Sequence, residues 1–207
     1  MDDLQDLGTA VLFTLNPNWF VNPSFTAQPM RKIINYRGTA DVLQSEGALS
    51  IFSFQATYTL TDRTQKNYLL DFTRSHKGRL NRFWIRHPKS YFTLQTTAGT
   101  GSVVIYVDRN EFDWQFQGYE RLYIQMGNGD IITRKIDSVI ENVPLNRLEI
   151  SFLPALDRDI NVEDNNTIGR LYLVRFDQED FKFKIITQVQ SEVALRFVEL
   201  NREYGSI

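Results

Sequence analysis

Ten residues, 51–60, leave little freedom about what must surround them. In IFSFQATYTL, the residues Phe52, Phe54, Ala56, Tyr58 and Leu60 alternate with Ile51, Ser53, Gln55, Thr57 and Thr59. That two-residue period belongs to a strand with one face buried and the other wetted. A helix start follows at once, with Asp62 and Gln65 at the spacing of a capping box. Tyr68, Leu69 and Phe72 then make an apolar stripe, and Gly78 falls where a helix C′ residue belongs. RFWIRHP reads as a short aromatic strand stopped by Pro88. The stretch 47–88 is therefore expected to be a long strand, a capped helix and a second strand. It is a packing unit and carries no catalytic groups.

Such a unit needs partners, and the rest of the chain offers strands. Residues 1–30 contain Pro17, Pro23 and Pro29, each without a backbone donor, so they are expected to form an extended arm. Its aromatics, Trp19, Phe20 and Phe25, are too many for a solvated linker. Two readings stay open: the arm packs on its own domain, or it reaches a neighbouring subunit. RKIINYR, at 31–37, reads as a strand leading to a turn at Gly38.

Past Pro88 the pattern changes to short strands separated by turns. YFTLQ leads through a turn at 99–102 to VVIYVD, and RLYIQM leads through Gly127-Asn128-Gly129-Asp130, a hairpin signal, into IITRKIDSVI. A further turn at 142–146 precedes RLEISFL. At least five short strands without a helical pattern predict a small β-barrel or sandwich. From Gly169 the pattern seen before Pro88 returns as GRLYLVRFD, FKFKIITQ and SEVALRFVEL. The expected fold is mainly β with one α-helix, a β-rich α+β chain. Its parent domain is 1–87 plus 166–207, interrupted by an inserted small β-barrel domain at 88–165.

Composition removes several classes. A formal net charge of -2 argues against a dedicated nucleic-acid binder, and the absence of cysteine removes disulfides and thiolate metal sites. MDDLQDLG lacks the basic-then-apolar pattern of a secretory signal, and no apolar run approaches the roughly 20 residues of a membrane helix. Synthesis in a cytoplasm, without membrane insertion, is expected.

The candidates for chemistry are sparse. His76 and His87 lack the neighbours of a zinc site or a catalytic dyad and read as surface or interface residues. Asp157-x-Asp159-x-Asn161 opens like a calcium loop, but Val162 and Ile168 stand where glycine and a bidentate glutamate are required. It reads as an acidic solvated loop. The 99–102 turn precedes a strand, so it offers an anion no helix N-terminus. Glu111 and Asp113 are the pair of carboxylates that would flank a cleft in a hydrolase. No catalytic, cofactor or metal residue is assigned, and the chain is expected not to be an enzyme.

Two surface candidates remain. Arg74, Lys77, Arg79, Arg82, Arg86 and Lys89 lie close together, and Arg82 and Arg86 would share a strand face with Trp84. That cluster is a solvated edge, a contact to a partner subunit, or a site for a polyanion. Trp114, Phe116 and Tyr119, in DWQFQGYE, are either barrel core or one face of a carbohydrate-binding module.

Tyr36-Arg37-Gly38, the unit ending DFTRSHKGRLNRFWI, and LYLVRFDQEDFKFKIITQVQSEVALRFVEL together resemble tail-tip proteins of long-tailed bacteriophages and related gene-transfer particles. The positions that carry the likeness are Leu69, Phe72, Lys77, Gly78, Arg79, Phe83 and Trp84, with Arg196, Phe197 and Glu199 near the end. It covers about 31–87 and 169–207, and neither the arm nor the insertion. The resemblance implies a distal tail protein whose parent domain is tail-tube-like, a sheet plus a helix. It implies a homo-oligomeric ring, a hexamer first and a trimer second, in the virion at the tail tip. The implied partners are the tail tube protein and tail-tip or hub proteins, with DNA passing through the ring. The contact residues would be Trp19, Phe20, Phe25, Arg74, Lys77, Arg79, Arg82 and Arg86.

Overall fold

The strand expected at 47–60 runs from Ser50 to Leu60 in the computed structural model. The structure describes residues 3–4, 10–18, 24–29, 32–34, 42–44, 50–77, 79–86, 92–108, 121–164 and 166–200, and only the backbone of 3–4, 25–29, 32–34, 42–44 and 50–52. In chain order the elements are β1 (Asp3–Leu4), β2 (Ser24–Pro29), β3 (Lys32–Ile34), β4 (Val42–Gln44), β5 (Ser50–Leu60) and α1 (Arg63–Ser75). There follow β6 (Phe83–Arg86), β7 (Val104–Asp108), β8 (Arg121–Gln125), β9 (Ile131–Asn142) and β10 (Arg147–Leu153). The chain closes with β11 (Thr167–Phe176), β12 (Phe183–Ile185) and β13 (Ser191–Glu199). Among the described residues the chain is mainly β with a single α-helix.

The chain divides into two compact units, Met1–Phe13 with Phe83–Tyr172, and Thr14–Arg82 with Leu173–Ile207. The cuts near 83 and 173 replace the expected 88 and 165, and the first residues of the arm go with the inserted segment. The reason is local. Leu12 bridges Trp84 in parallel, with Phe13 N donating to Trp84 O at 2.8 Å and Trp84 N to Val11 O at 2.8 Å.

The second unit holds the strand and helix of the expected packing unit, β5 and α1. The second strand of that packing unit, β6, belongs to the first unit and pairs with β11 instead of β5. β13 pairs antiparallel with β5, β2 pairs with β5 on its other side, and β12 pairs with β13. β5 buries Phe54, Ala56, Tyr58 and Leu60 and leaves Ser53, Gln55, Thr57 and Thr59 half-open. The pairing aligns Phe54 with Phe197 and Phe197 with Phe176. The rings stack across the strands, at 4.9 Å and 5.6 Å between centroids. α1 lays Leu69 and Phe72 on this sheet, Phe72 meeting Phe176 edge-on at 6.3 Å. A helix of 13 residues is marginal alone, so this burial holds it. Each buried side chain contributes about 1.5–3 kcal/mol.

Both ends of α1 are closed by neighbouring residues. Asp62 Oδ1 accepts from Gln65 N at 2.8 Å, while Gln65 Oε1 accepts from Thr61 N at 2.9 Å, one residue before the donor of a strict capping box. At the other end His76 is the C-cap and Lys77, with φ 49°, holds the left-handed C′ position expected for Gly78. Gly78 lies outside the described residues. A left-handed non-glycine residue costs roughly 1 kcal/mol, partly offset in glycine by its looser unfolded chain. Lys77→Gly should therefore stabilise by about 0.5 kcal/mol, read as a higher urea midpoint at unchanged slope. A lower midpoint would mean that the lysine side chain contributes more than its backbone costs.

The first unit contains a closed barrel. β8 pairs with β9, β9 with β10, β10 with β7, and the first half of β11 with β8. Residues 92–95 close the circuit: Leu94 bridges Val107 in β7, and Phe92 bridges Ile168 in β11. Phe92 N donates to Ile168 O at 2.7 Å. The interior is filled by Leu94, Ile105, Val107, Leu122, Ile124, Ile132, Ile136, Ile150, Phe152 and Ile168. Ala98, Leu156 and Ile160, from two loops that bridge each other, add to the same core. The β8–β9 turn has the expected form. Gly129 N donates to Met126 O at 2.8 Å, and Gly129 takes φ 91°, which a side chain would resist.

Candidate functional site

The described residues of the basic stretch differ in their surroundings. Arg74 is exposed and pairs with Asp71 at 3.4 Å, Lys77 is exposed, and Arg79 donates to Asp177 Oδ1 at 3.1 Å. Arg82 is half-buried and precedes β6, whereas Arg86 belongs to the other unit and donates to Gln125 Oε1 at 2.8 Å. Exposed pairs of this kind contribute roughly 0–1 kcal/mol. The expected basic and aromatic face is corrected by the burial of Trp84, which is 1 % exposed. β6 is no edge strand, since residues 11–13 bond one side of it and β11 pairs with it as well. The cation over the Trp84 ring is the buried Arg121, at 5.5 Å, a residue that no motif in the sequence marks.

Of the arm, residues 10–18 and 24–29 lie on their own chain. Asn18 N donates to Thr57 O at 2.7 Å, Thr14 N to the Tyr68 hydroxyl at 3.2 Å, and β2 sets Phe25 opposite Phe54 in register. Trp19 and Phe20 fall outside the described residues, as do Trp114, Phe116, Tyr119, Glu111, Asp113, His87 and Lys89. His76 is buried rather than on the surface. Its ring stacks on Phe72 at 4.0 Å, and its Nδ1 lies 2.8 Å from Phe72 O.

The calcium-like loop spends its carboxylates on the protein. Asp159 Oδ1 accepts from Thr100 N at 2.6 Å and Thr100 Oγ1 at 2.8 Å, which fastens the 99–102 turn and holds the carboxyl below its usual range. Asp157 accepts from Arg158 at 2.9 Å, which lowers its pKa, with a smaller contribution from the charge of Arg134 at 3.7 Å. Glu149 is likewise lowered, first by Arg147 and then by Asn142. Carboxylates with depressed pKa stabilise the fold above their unfolded values, and that contribution disappears as pH falls through the folded values. Acidification below about pH 4 should loosen this unit. Among the described residues no group of three or more His, Asp or Glu is placed to hold a metal ion.

Arg134 is the unusual member of this group, 1 % exposed and on the face of β9 that also bears the core residues Ile132 and Ile136. Its Nη1 donates to Thr133 O at 2.8 Å. Asp157→Ala should cost about 1–2 kcal/mol, below the usual penalty for breaking a buried pair because Asp157 is itself 41 % exposed. Arg134→Met, which keeps volume and removes charge, should cost less than about 1.5 kcal/mol in the same urea titration. The reverse order would locate the stabilisation in the guanidinium's hydrogen bonds.

Two apolar hairpin ends, which no sequence motif announces, complete the surface. At the β9–β10 end Ile140, Val143 and Leu145 are each more than half exposed. At the β12–β13 end Ile185 is 75 % and Val189 68 % exposed, with Ile186 beside them. Weaker signals do exist. Val143-Pro144-Leu145 puts aliphatics in a turn, where polar residues are the rule, and Ile185-Ile186 breaks the alternation. Exposed aliphatics scattered singly are ordinary on a protein surface; here each hairpin end carries three within a few residues of one another.

A scan against protein-family models finds no match, and no curated protein matches the chain.

Proposed function

We propose that this chain is a structural subunit of a phage-tail-like particle. It forms a homo-oligomeric ring at the distal end of the tail, six copies first and three second, and joins the tail tube to the tip or baseplate proteins. DNA passes through the hole, and the subunit does no chemistry. The observation that carries the reading is the pair of apolar hairpin ends, one in each unit. A ring of head-to-tail contacts needs two different surfaces per subunit, and the two exposed aliphatic ends support that reading. In this reading Trp19, Phe20, Phe25, Arg74, Lys77, Arg79, Arg82 and Arg86 remain contact residues beside the hairpin ends. The formal net charge of -2 gives a passing polyanion little to hold. Light scattering on the purified chain at micromolar concentration should return a multiple of 24.2 kDa, six-fold or three-fold. A single 24.2 kDa species at every concentration contradicts the proposal.

A further inference from the structure

We propose that Asn128 is a site of spontaneous modification, a deamidation point that the folded β8–β9 turn holds back and that records the opening of that turn irreversibly. Asn128-Gly129 is the single Asn-Gly pair of the chain. Deamidation begins when the next residue's amide nitrogen attacks the asparagine Cγ, and glycine, with no Cβ, leaves that nitrogen least hindered. Every other asparagine is followed by a residue that carries a side chain. Asn128 and Gly129 are both exposed, so water reaches the pair.

The folded turn engages every reacting group. Gly129 N, the attacking atom, donates to Met126 O at 2.8 Å, and Asn128 Oδ1 accepts from Asp130 N at 2.9 Å. Asn128 Nδ2, the leaving group, donates to Asp130 Oδ2 at 3.1 Å, and Arg158 Nη1 donates to the same oxygen at 3.2 Å. Attack on Cγ requires Gly129 N to lose its proton and the amide to turn, so these bonds must open first. In the open turn hydroxide takes that proton, the nitrogen bonds to Cγ, and the Cγ–Nδ2 bond breaks with release of ammonia. Water then opens the succinimide at either carbonyl, leaving aspartate or isoaspartate. The sum is amide plus water to acid plus ammonia, with no change of oxidation state. Isoaspartate routes the main chain through Cβ and lengthens a turn closed by Met126 N donating to Asp130 O at 2.8 Å. That closure sets Gln125 opposite Ile131 and Ile124 opposite Ile132. Ile124 and Ile132 belong to the barrel interior, so a turn that has reacted stays loose where it meets the core.

The test incubates the full chain in mildly alkaline buffer, folded and in concentrated urea, and maps the products by peptide mass spectrometry with isoaspartate detection. Asn128 should be the first asparagine converted in urea. In the folded chain its conversion should be at least about ten-fold slower, because the reaction waits for local opening. Hydrogen exchange at the Gly129 amide reads the same opening, and its protection should match that ratio within about three-fold. The converted chain, separated by charge, should exchange amides at 124–132 about ten-fold faster than the original. Asn128→Ser keeps a turn acceptor and cannot deamidate, so its exchange should stay constant through the same incubation. Equal rates in the folded chain and in urea overturn the restraint. First conversion at another asparagine overturns the site. Unchanged exchange in the converted chain, or equal loosening of Asn128→Ser, overturns the lasting effect on the turn.

Discussion

Phe197→Ala should cost about 3–5 kcal/mol, the range for emptying the space of a fully buried aromatic. Phe197 is 0 % exposed and sits at the middle of a row of rings that crosses three strands. Phe54 and Phe176 flank it in register, and Tyr58 meets it edge-on at 6.3 Å. The helix reaches the row through Phe72 on Phe176, so a cavity at Phe197 loosens both the sheet and the seat of α1. Two substitutions separate this account from a general sensitivity of β13. Phe197→Leu keeps most of the volume and should cost about 1–2 kcal/mol. Arg196→Ala, one residue away on the open face, removes a hydrogen bond to Gln55 and should cost roughly 1 kcal/mol or less. Hydrogen exchange in Phe197→Ala should accelerate across β5, α1 and β13. If the three variants shift the urea midpoint equally, the aromatic row is not what holds the unit.

Phe152→Ala is the matching experiment in the barrel, with an expected loss of about 3–5 kcal/mol. Phe152 is 0 % exposed and lies opposite Ile136, just after the pairing of β10 with β9 shifts register. Its own amide donates to Val103 O at 2.9 Å, so the backbone there is tied on a second side. A closed barrel cannot collapse around a missing ring without breaking its hydrogen-bonded circuit, so most of the cavity persists. The adjacent Leu153 is 56 % exposed, and Leu153→Ala should stay within about 0.5 kcal/mol. A similar loss from both would contradict the assignment of the barrel interior.

Where local rules act alone, the residues are readable. The alternation at 51–60 is β5, Asp62 is the N-cap, and Gly127-Asn128-Gly129-Asp130 is the β8–β9 turn with its glycine at positive φ. The mainly β class with one helix is legible for the same reason. Contacts distant in sequence are not. Trp84 looks like an exposed edge residue because nothing in RFWIR announces residues 11–13 beside it. His76 is a local exception: it stacks on Phe72, one turn back, but a histidine just past a helix end carries no mark of burial in the sequence. Arg134 looks like an ordinary strand arginine, since only the barrel turns its face inward toward Ile132 and Ile136. FKFKIITQ reads as a full strand, yet β12 is Phe183–Ile185 and its aliphatics end in solvent. The hairpin ends are only weakly marked in the sequence, because Ile and Val there read first as strand residues.

An electron micrograph of the purified chain tests the central claim most directly. Projections should show uniform annular particles with a central hole, six-fold or else three-fold in their class averages. A field of single compact particles without a hole, at concentrations where light scattering reports the subunit mass, would contradict it.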